Sequence, residues 1–293
     1  MGLVSRMIGH FVGERLRVEL RPASVTVSRY AAFPRPRVTS TRSIEVTAAA
    51  AGSSEHPPEP WRASLDTLAS VLREQRGSVG RVEVVLSDHF VRYALIPWSE
   101  NLVADSERLG FARLGFRNVY GPLSDGWDVC VDEQPAGQAS FASAVDRPLI
   151  AGLRDVMSLA GGRLDTVRPA LADCLNRHSR VLKEPEFCLA MSEPGRISLA
   201  FRSRAGWQAV RSRRIEGSVD EILPTLLKQE SAAGSAPESG VLYLCAADIV
   251  DLPHFTVPGW KLVRLAQAAG SIAQAQSGVQ PRRAATAPLV EES

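Results

Sequence analysis

Residues 187–201, which read FCLAMSEPGRISLAF, decide the fold of this chain. Apolar runs on both sides of Glu193-Pro194-Gly195 predict two antiparallel strands joined by a tight turn, because proline and glycine suit turn conformations. Trp207–Val210 predicts a third strand. A helix is expected next, with Ser218–Glu221 as a capping box at its start, and Val241–Cys245 predicts a fourth strand. The order is therefore three consecutive strands, a helix and a strand.

The same order of elements occurs near the beginning of the chain. Alternating apolar and polar residues predict strands at Arg15–Leu20 and Val25–Tyr30, and Arg42–Thr47 is a third candidate. Trp61–Arg76 has its leucines and valine on one helical face and predicts a helix. Arg81–Leu86 then predicts a fourth strand. The repetition indicates two related structural units in one chain.

Further elements are expected between the two units and after the second one, and together they give the expected domain boundaries. Asp146 is expected to cap a helix that has Pro148 in its first turn. The other expected elements are a strand at His89–Ile96, a helix at Leu102–Asn118, a hairpin of Trp127–Asp132 with Ala139–Val145, a strand at Leu164–Val167, a helix at Ala170–His178 and a last strand at Trp260–Leu265. We expect an N-terminal extension at 1–13, a first lobe at 14–178, a smaller second lobe at 179–265, and a disordered tail at 266–293.

Composition excludes several classes of protein. The 293 residues contain 34 Lys and Arg against 32 Asp and Glu, and this balance argues against a nucleic-acid-binding protein. The four cysteines include no closely spaced pair, so we expect buried apolar thiols in a reducing compartment and no metal site. Neither a signal peptide nor a run of about 20 apolar residues is evident, which predicts a cytoplasmic protein. Residues 1–11 are read as a terminal turn, with a short membrane-contacting helix as the alternative.

Three stretches suggest a family: Val82–Trp98, Leu164–Ala172 and Cys188–Phe201. Three antiparallel strands followed by helix–strand alternation form the ribonuclease H-like unit, and two such units make an α/β protein of the actin-like ATPase fold, here with a reduced second lobe. In element order and hydrophobic pattern the chain resembles actin-like pilus and secretion platform proteins. These are PilM of type IV pili, MshI-type pilus biogenesis proteins and the cytoplasmic domain of GspL.

The resemblance implies a nucleotide site, and its first part is degenerate in this sequence. An actin-like ATPase holds phosphate with two hairpins, each carrying an Asp and a glycine that lets the backbone approach the oxygens. The first hairpin here has Glu19-Leu20-Arg21 in place of Asp-x-Gly. In the second hairpin Glu193 and Gly195 match in part, but Pro194 lacks the amide donor that a phosphate cradle would use.

The adenosine part of the implied site also departs from the family pattern, because Ala246 and Ala247 stand where glycines are expected. The three departures together predict a non-catalytic scaffold without a cofactor. The alternative is a nucleotide-binding, actin-like ATPase or kinase-like enzyme that uses ATP and Mg²⁺. The resemblance further implies a role in a type IV pilus or type II secretion-like assembly platform, at the inner face of the inner membrane.

The expected partner is the cytoplasmic tail of an inner-membrane pilus assembly protein. Phe90, Arg92, Tyr93 and Trp98 are the candidate contacts, because aromatic and arginine side chains are enriched among interface anchors. The alternative is an ordinary sheet strand with one buried face. An arginine-rich stretch at 196–214 is open to two interpretations: an anion-binding surface for lipid headgroups or an acidic partner, or the solvated outer face of a hairpin.

Overall fold

The structure is a computed structural model that describes residues 15–31, 37–47, 59–74, 79–102, 104–246 and 256–266. The strands are β1 Arg15–Leu20, β2 Ser24–Ala31, β3 Arg37–Glu45, β4 Arg81–Leu86, β5 Val91–Ile96, β6 Trp127–Val131, β7 Ser140–Asp146, β8 Arg163–Pro169, β9 Phe187–Glu193, β10 Arg196–Ser203, β11 Gly206–Arg214, β12 Gly240–Ala246 and β13 Trp260–Leu265. The helices are α1 Arg62–Glu74, α2 Asp105–Tyr120, α3 Arg147–Leu159, α4 Ala170–Arg177 and α5 Val219–Ala232, and a short 3₁₀ turn spans Gly121–Gly126.

Two five-stranded sheets have the same topology. The first has the order β3-β2-β1-β4-β8 and the second the order β11-β10-β9-β12-β13. In each sheet the first three strands pair antiparallel, the fourth pairs parallel with the first, and the fifth pairs parallel with the fourth. The predicted duplication of an α/β ribonuclease H-like unit is therefore confirmed. A third, antiparallel sheet, with the order β5-β7-β6, is inserted between β4 and β8.

The core of the first lobe lies between its sheet and the helices α1 and α3. Leu65, Leu68 and Leu72 of α1 and Leu149 and Leu153 of α3 are all buried in it. Their spacing of three or four residues places them on one face of each helix. This apolar stripe holds both helices against the valines and leucines of β1 and β4.

The second sheet is covered on both faces, because successive side chains of β9 point alternately into two different cores. Cys188 and Ala190 point into a core shared with α5, whereas Phe187, Leu189 and Met191 point into another core. That other core is completed by first-lobe side chains from α4, β5 and β7. All seven residues of β9 are consequently buried. The two lobes thus share an apolar core over the inner face of the second sheet.

Predicted elements agree with the structure in existence and type, but several ends differ. The strand β3 begins at Arg37, five residues before the predicted start, and pairs with β2 along its whole length. The helix α2 begins at Asp105 rather than at Leu102. The residues 1–13 and 267–293, which include all but the first residue of the expected disordered tail, lie outside the described residues.

Both predicted N-cap residues stand where they were expected, but neither makes the predicted capping hydrogen bond. Asp146 stands at the N-cap of α3 but makes no capping hydrogen bond, because its Oδ2 accepts the indole N–H of Trp61 at 2.9 Å. Ser218 stands at the N-cap of α5, and its hydroxyl makes no capping hydrogen bond either. At α2 the reach-back half of a capping box is present, where Glu107 Oε2 accepts the backbone N–H of Ala104 at 2.9 Å.

Within the part of the chain that the structure describes, no helix combines the length and apolar character needed to cross a bilayer.

Candidate functional site

The turn after β9 brings one predicted site residue to the first lobe. Glu193 is 5% exposed, and its Oε2 accepts hydrogen bonds from Ser87 Oγ at 2.9 Å and from the backbone N–H of Asp88 at 2.8 Å. Both donors follow the end of β4. Gly195 adopts a φ of +73° in the same turn, a conformation that favours glycine. The second hairpin is therefore anchored on the first lobe by a buried carboxylate.

The two hairpins meet through an arginine that stands where the family pattern has glycine. Arg21 Nη2 donates to Glu19 Oε2 at 3.1 Å, and its Nε lies 3.9 Å from Glu193 Oε1. Glu19 also accepts a hydrogen bond from Arg17 Nε at 3.4 Å. The structure thus brings together Glu19 and Glu193, and it places the Arg21 guanidinium between their carboxylates.

Asp88 is a functional candidate that the sequence analysis did not single out. It is fully buried, and its Oδ1 accepts from the Tyr93 hydroxyl at 2.5 Å and from the Leu171 backbone N–H at 3.3 Å. Burial, followed by the negative charge of Glu193, raises the pKa of Asp88 to about 7. Burial and the Asp88 carboxylate raise the pKa of Tyr93 well above its usual value. This acid therefore changes its charge near neutral pH.

A second ionic cluster lies beside the first, and the sequence analysis did not find it. Arg17 Nη1 and Nη2 donate to the two carboxylate oxygens of Asp173 at 3.1 and 2.6 Å, and Arg177 Nε lies 2.8 Å from Asp173 Oδ2. Burial alone would raise the pKa of Asp173, but the charge and hydrogen bonds of Arg17, with the charge of Arg177, lower it below its ordinary value. The cluster ties β1 to α4.

His89 adds a contact between the lobes. Its Nε2 lies 3.0 Å from the carbonyl oxygen of Pro194. Burial lowers the pKa of His89, which favours the neutral imidazole. A neutral imidazole can donate one N–H to that carbonyl. His89 thus helps to hold the second hairpin against the first lobe.

The predicted adenosine position is described only in part. Ala246 ends β12 and is the register partner of Ser192 in β9, so it lies close to Glu193 at the same end of the second sheet. Ala247 lies outside the described residues.

The four candidate partner contacts are not on one surface. Phe90 is 3% exposed and belongs to the first-lobe core, and Tyr93 packs into the apolar cores and directs its hydroxyl to Asp88. Arg92 is half-buried and lies over the Trp127 ring, with its guanidinium carbon 6.0 Å from the ring centre. Trp98 is 46% exposed. Phe90 therefore offers no surface to a partner, whereas Trp98 is exposed and Arg92 and Tyr93 are half-buried.

The arginine-rich stretch is partly paired within the protein. Arg211 Nε and Arg213 Nη2 lie 3.2 and 2.7 Å from the two carboxylate oxygens of Glu230, which is 2% exposed. Arg202 stacks over Trp207. Much of this stretch therefore serves to hold α5 and β11 together.

Cysteine placement agrees with the prediction for three of the four residues. Cys174, Cys188 and Cys245 are buried, and Cys130 is half-buried. Cys174 and Cys245 nevertheless interact with each other. Their mutual hydrogen bond is the main reason that the pKa of Cys245 is lowered to about 5 and that of Cys174 is raised.

Comparisons with known proteins give the fold. No protein-family model matches the sequence, and no curated protein matches it. Solved structures match over most of the chain. One is the cytoplasmic domain of EpsL, an inner-membrane component of the type II secretion system of Vibrio cholerae, at 13% identity and a TM-score of 0.51, covering 85% of each chain. The chain has an actin-like fold.

Two further structures support this assignment. A protein from Bacteroides thetaiotaomicron with an actin-like ATPase fold and unknown function matches at 12% identity and a TM-score of 0.57, covering 87% of this chain and 92% of that one. The PilM–PilN type IV pilus biogenesis complex matches at 15% identity and a TM-score of 0.57, covering 80% and 82%. The predicted resemblance to pilus and secretion platform proteins is confirmed at the level of the fold.

Proposed function

We propose that this protein is a non-catalytic, cytoplasmic scaffold of a type IV pilus or type II secretion-like assembly platform. It binds the cytoplasmic segment of an inner-membrane assembly protein at the inner face of the membrane. The fold shared with the EpsL cytoplasmic domain and with the PilM–PilN complex supports this proposal. No nucleotide is required for such binding.

One observation carries the non-catalytic part of the proposal: the hairpins that hold phosphate in an actin-like ATPase hold each other here. Arg21 lies between Glu19 and Glu193, and the Glu193 carboxylate already accepts two hydrogen bonds from the first lobe. A phosphate entering between the hairpins would have to break these contacts and would meet the negative charges of both glutamates. Binding it would therefore leave buried polar groups unpaired, which is costly.

The alternative function, a nucleotide-binding enzyme, is favoured by a different observation. Within the described residues, Asp88 Oδ2 is buried and has no hydrogen-bond partner, and the Glu193 carboxylate is close enough to raise the pKa of Asp88. Magnesium is commonly bound by one or two carboxylates together with waters and substrate phosphates, so Asp88 and Glu193 are candidate ligands. The titration with Mg–ATP at the end of the Discussion separates the two functions.

The partner surface is proposed to lie on the inserted three-stranded sheet and its helix α2. Eight large apolar side chains are exposed in the described part of the chain, and six of them lie within residues 98–123. These six, which we call the insert patch, are Trp98, Phe111, Leu114, Val119, Tyr120 and Leu123. Phe111 and Leu114 are three residues apart and share one face of α2. Exposed apolar side chains grouped on a surface are typical of an interaction site.

A binding assay with a matched pair of variants tests the partner. Fluorescently labelled peptides spanning the cytoplasmic tails of pilus and secretion inner-membrane proteins are titrated with the full chain. We expect one tail to bind, and we expect Leu114→Asp to weaken it at least about tenfold, since a charge in an apolar contact costs more than about 1.4 kcal/mol. Leu159→Asp, at an 87% exposed leucine on α3 outside the insert patch, is the control.

Two results would count against this function. If no tail binds, the proposed partner is excluded. If both variants lose binding equally, the insert patch is not the contact surface. Circular dichroism of both variants checks that the fold is retained.

A further inference from the structure

Three side chains that can bind a metal converge between α4 and β12. Cys174 lies in the last turns of α4, His178 follows four residues later, and Cys245 lies near the end of β12. The ligand atoms of the three residues lie within 4.8 Å of one another. Positions four apart in a helix share a face, which explains why Cys174 and His178 point the same way.

The surroundings of the three side chains favour a bound ion over simple packing. Cys174 and Cys245 are 0% and 1% exposed, so neither sulfur is hydrated. His178 Nε2 is also shielded from solvent, and within the described residues it has no hydrogen-bond partner. A buried imidazole nitrogen without a partner is unfavourable, since burial removes its bonds to water. A metal ion at the centre of the cluster would satisfy it.

The spacing can be compared with that of a zinc site. A tetrahedral zinc ion with Zn–S distances of about 2.3 Å and Zn–N distances of about 2.0 Å separates its ligand atoms by roughly 3.5 to 3.8 Å. The ligand atoms of the cluster lie within 4.8 Å of one another, so their largest separation exceeds that of a zinc site by no more than about 1.3 Å.

We propose that Cys174, His178 and Cys245 bind one zinc ion. Thiolate and imidazole ligands select zinc over magnesium or calcium, which take oxygen ligands. Binding Zn²⁺ releases a proton from each thiol that is still protonated, and the two thiolates then balance the charge of the ion. Three protein ligands leave the fourth tetrahedral position open to water.

The position of the site gives it a structural consequence. Cys174 and His178 belong to the last helix of the first lobe, whereas Cys245 belongs to a central strand of the second. Zinc bound here would link the lobes directly, beside the apolar core that they share. This site does not use Glu19 or Glu193, so it does not depend on the proposed scaffold function.

Metal content of the full chain tests the proposal. The protein is produced without a histidine tag in zinc-supplemented medium, purified under reducing conditions and analysed by mass spectrometry for bound metal. We expect one zinc per chain. After removal of zinc with a chelator, titration with Co²⁺ is expected to give a thiolate-to-cobalt charge-transfer band and the visible bands of a tetrahedral site.

Variants separate a specific site from chance binding. We expect Cys245→Ser and His178→Gln each to weaken metal binding by at least a hundredfold and to abolish the thermal stabilisation that zinc gives the wild type. Cys130→Ser, at a half-buried cysteine outside the cluster, is the control and is expected to bind like the wild type. Circular dichroism confirms that each variant is folded.

Three results would overturn the zinc site. The wild type could contain no zinc and show no cobalt spectrum, or Cys130→Ser could lose as much metal as Cys245→Ser. A Cys174–Cys245 disulfide in protein kept under reducing conditions would also exclude it, because a disulfide sulfur is not a thiolate ligand.

Discussion

Replacement of Asp88 by Asn should stabilise the protein, and increasingly so as the pH rises. Asp88 is fully buried, and burial together with the charge of Glu193 raises its pKa to about 7. Asparagine keeps the oxygen that accepts from Tyr93 and from the Leu171 backbone N–H. Its amide replaces an oxygen that lacks a hydrogen-bond partner within the described residues. The substitution therefore removes a charge and keeps both hydrogen bonds to Oδ1.

The sign and size of the effect follow from proton linkage. The unfolded chain loses the Asp88 proton near pH 3.8, whereas the folded chain keeps it to about pH 7. Between these values the folded state binds more protons, so the free energy of unfolding of the wild type falls as the pH rises. About three pH units at about 1.4 kcal/mol each give a loss of about 4 kcal/mol, as an upper bound. The lowered pKa of Asp173 acts below this window, since its stabilisation is lost only as the pH falls through that pKa.

Urea unfolding at about pH 5 and about pH 8 measures the difference between the wild type and Asp88→Asn. We expect the free energy of unfolding of Asp88→Asn to rise, relative to that of the wild type, by a few kcal/mol between these two pH values. Asp155→Asn, at an exposed position on α3, is the control and should show no such trend. A difference between Asp88→Asn and wild type that does not change with pH would refute the reasoning, as would one that shrinks as the pH rises.

Two further predictions concern stability and are tested by the same urea unfolding. Asp173→Asn should lower the free energy of unfolding by about 3 kcal/mol, because it leaves the Arg17 guanidinium, whose side chain is 13% exposed, without its bidentate partner. A loss below about 1 kcal/mol would show that the pair is not energetically important. Gly162→Ala should cost about 1–3 kcal/mol, because a Cβ there would lie 2.4 Å from the carbonyl oxygen of Val79. Gly115→Ala is the matched control: it lies within α2 with nothing within 4 Å of its Cβ position, and it should stabilise by about 0.5–1 kcal/mol. Equal effects at the two glycines would contradict the steric argument.

Much of the fold could be predicted because it is encoded in local patterns. Apolar runs in β9 and β10 on both sides of Glu193-Pro194-Gly195 indicate a hairpin. The alternating strands Arg15–Leu20 and Val25–Tyr30 indicate a second hairpin, and therefore a duplicated unit. The ends of the helices and strands were harder to predict from the sequence. Arg37–Glu45 is mostly polar, because β3 is an exposed edge strand, and so it lacks the apolar signal that marks a buried strand.

The site could be predicted only where its residues match the hairpin pattern of the family that the chain resembles. Glu19 and Glu193 were found in this way, but Asp88 and Asp173 were not, because their importance depends on contacts between distant parts of the chain. Phe90 was assigned to a partner surface by residue type alone, and its burial depends on the packing of the whole first lobe. Cys174 and His178 carried a usable signal in their i, i+4 spacing, whereas Cys245 joins them only through the docking of the two lobes.

We propose that the hairpins of this actin-like fold contact each other in place of a nucleotide. Isothermal titration calorimetry of the full chain with Mg–ATP, against a Mg²⁺-only control, measures whether a nucleotide binds. We expect no saturable heat of binding and no phosphate release. Micromolar affinity for Mg–ATP, with turnover that Glu193→Ala abolishes, would contradict it.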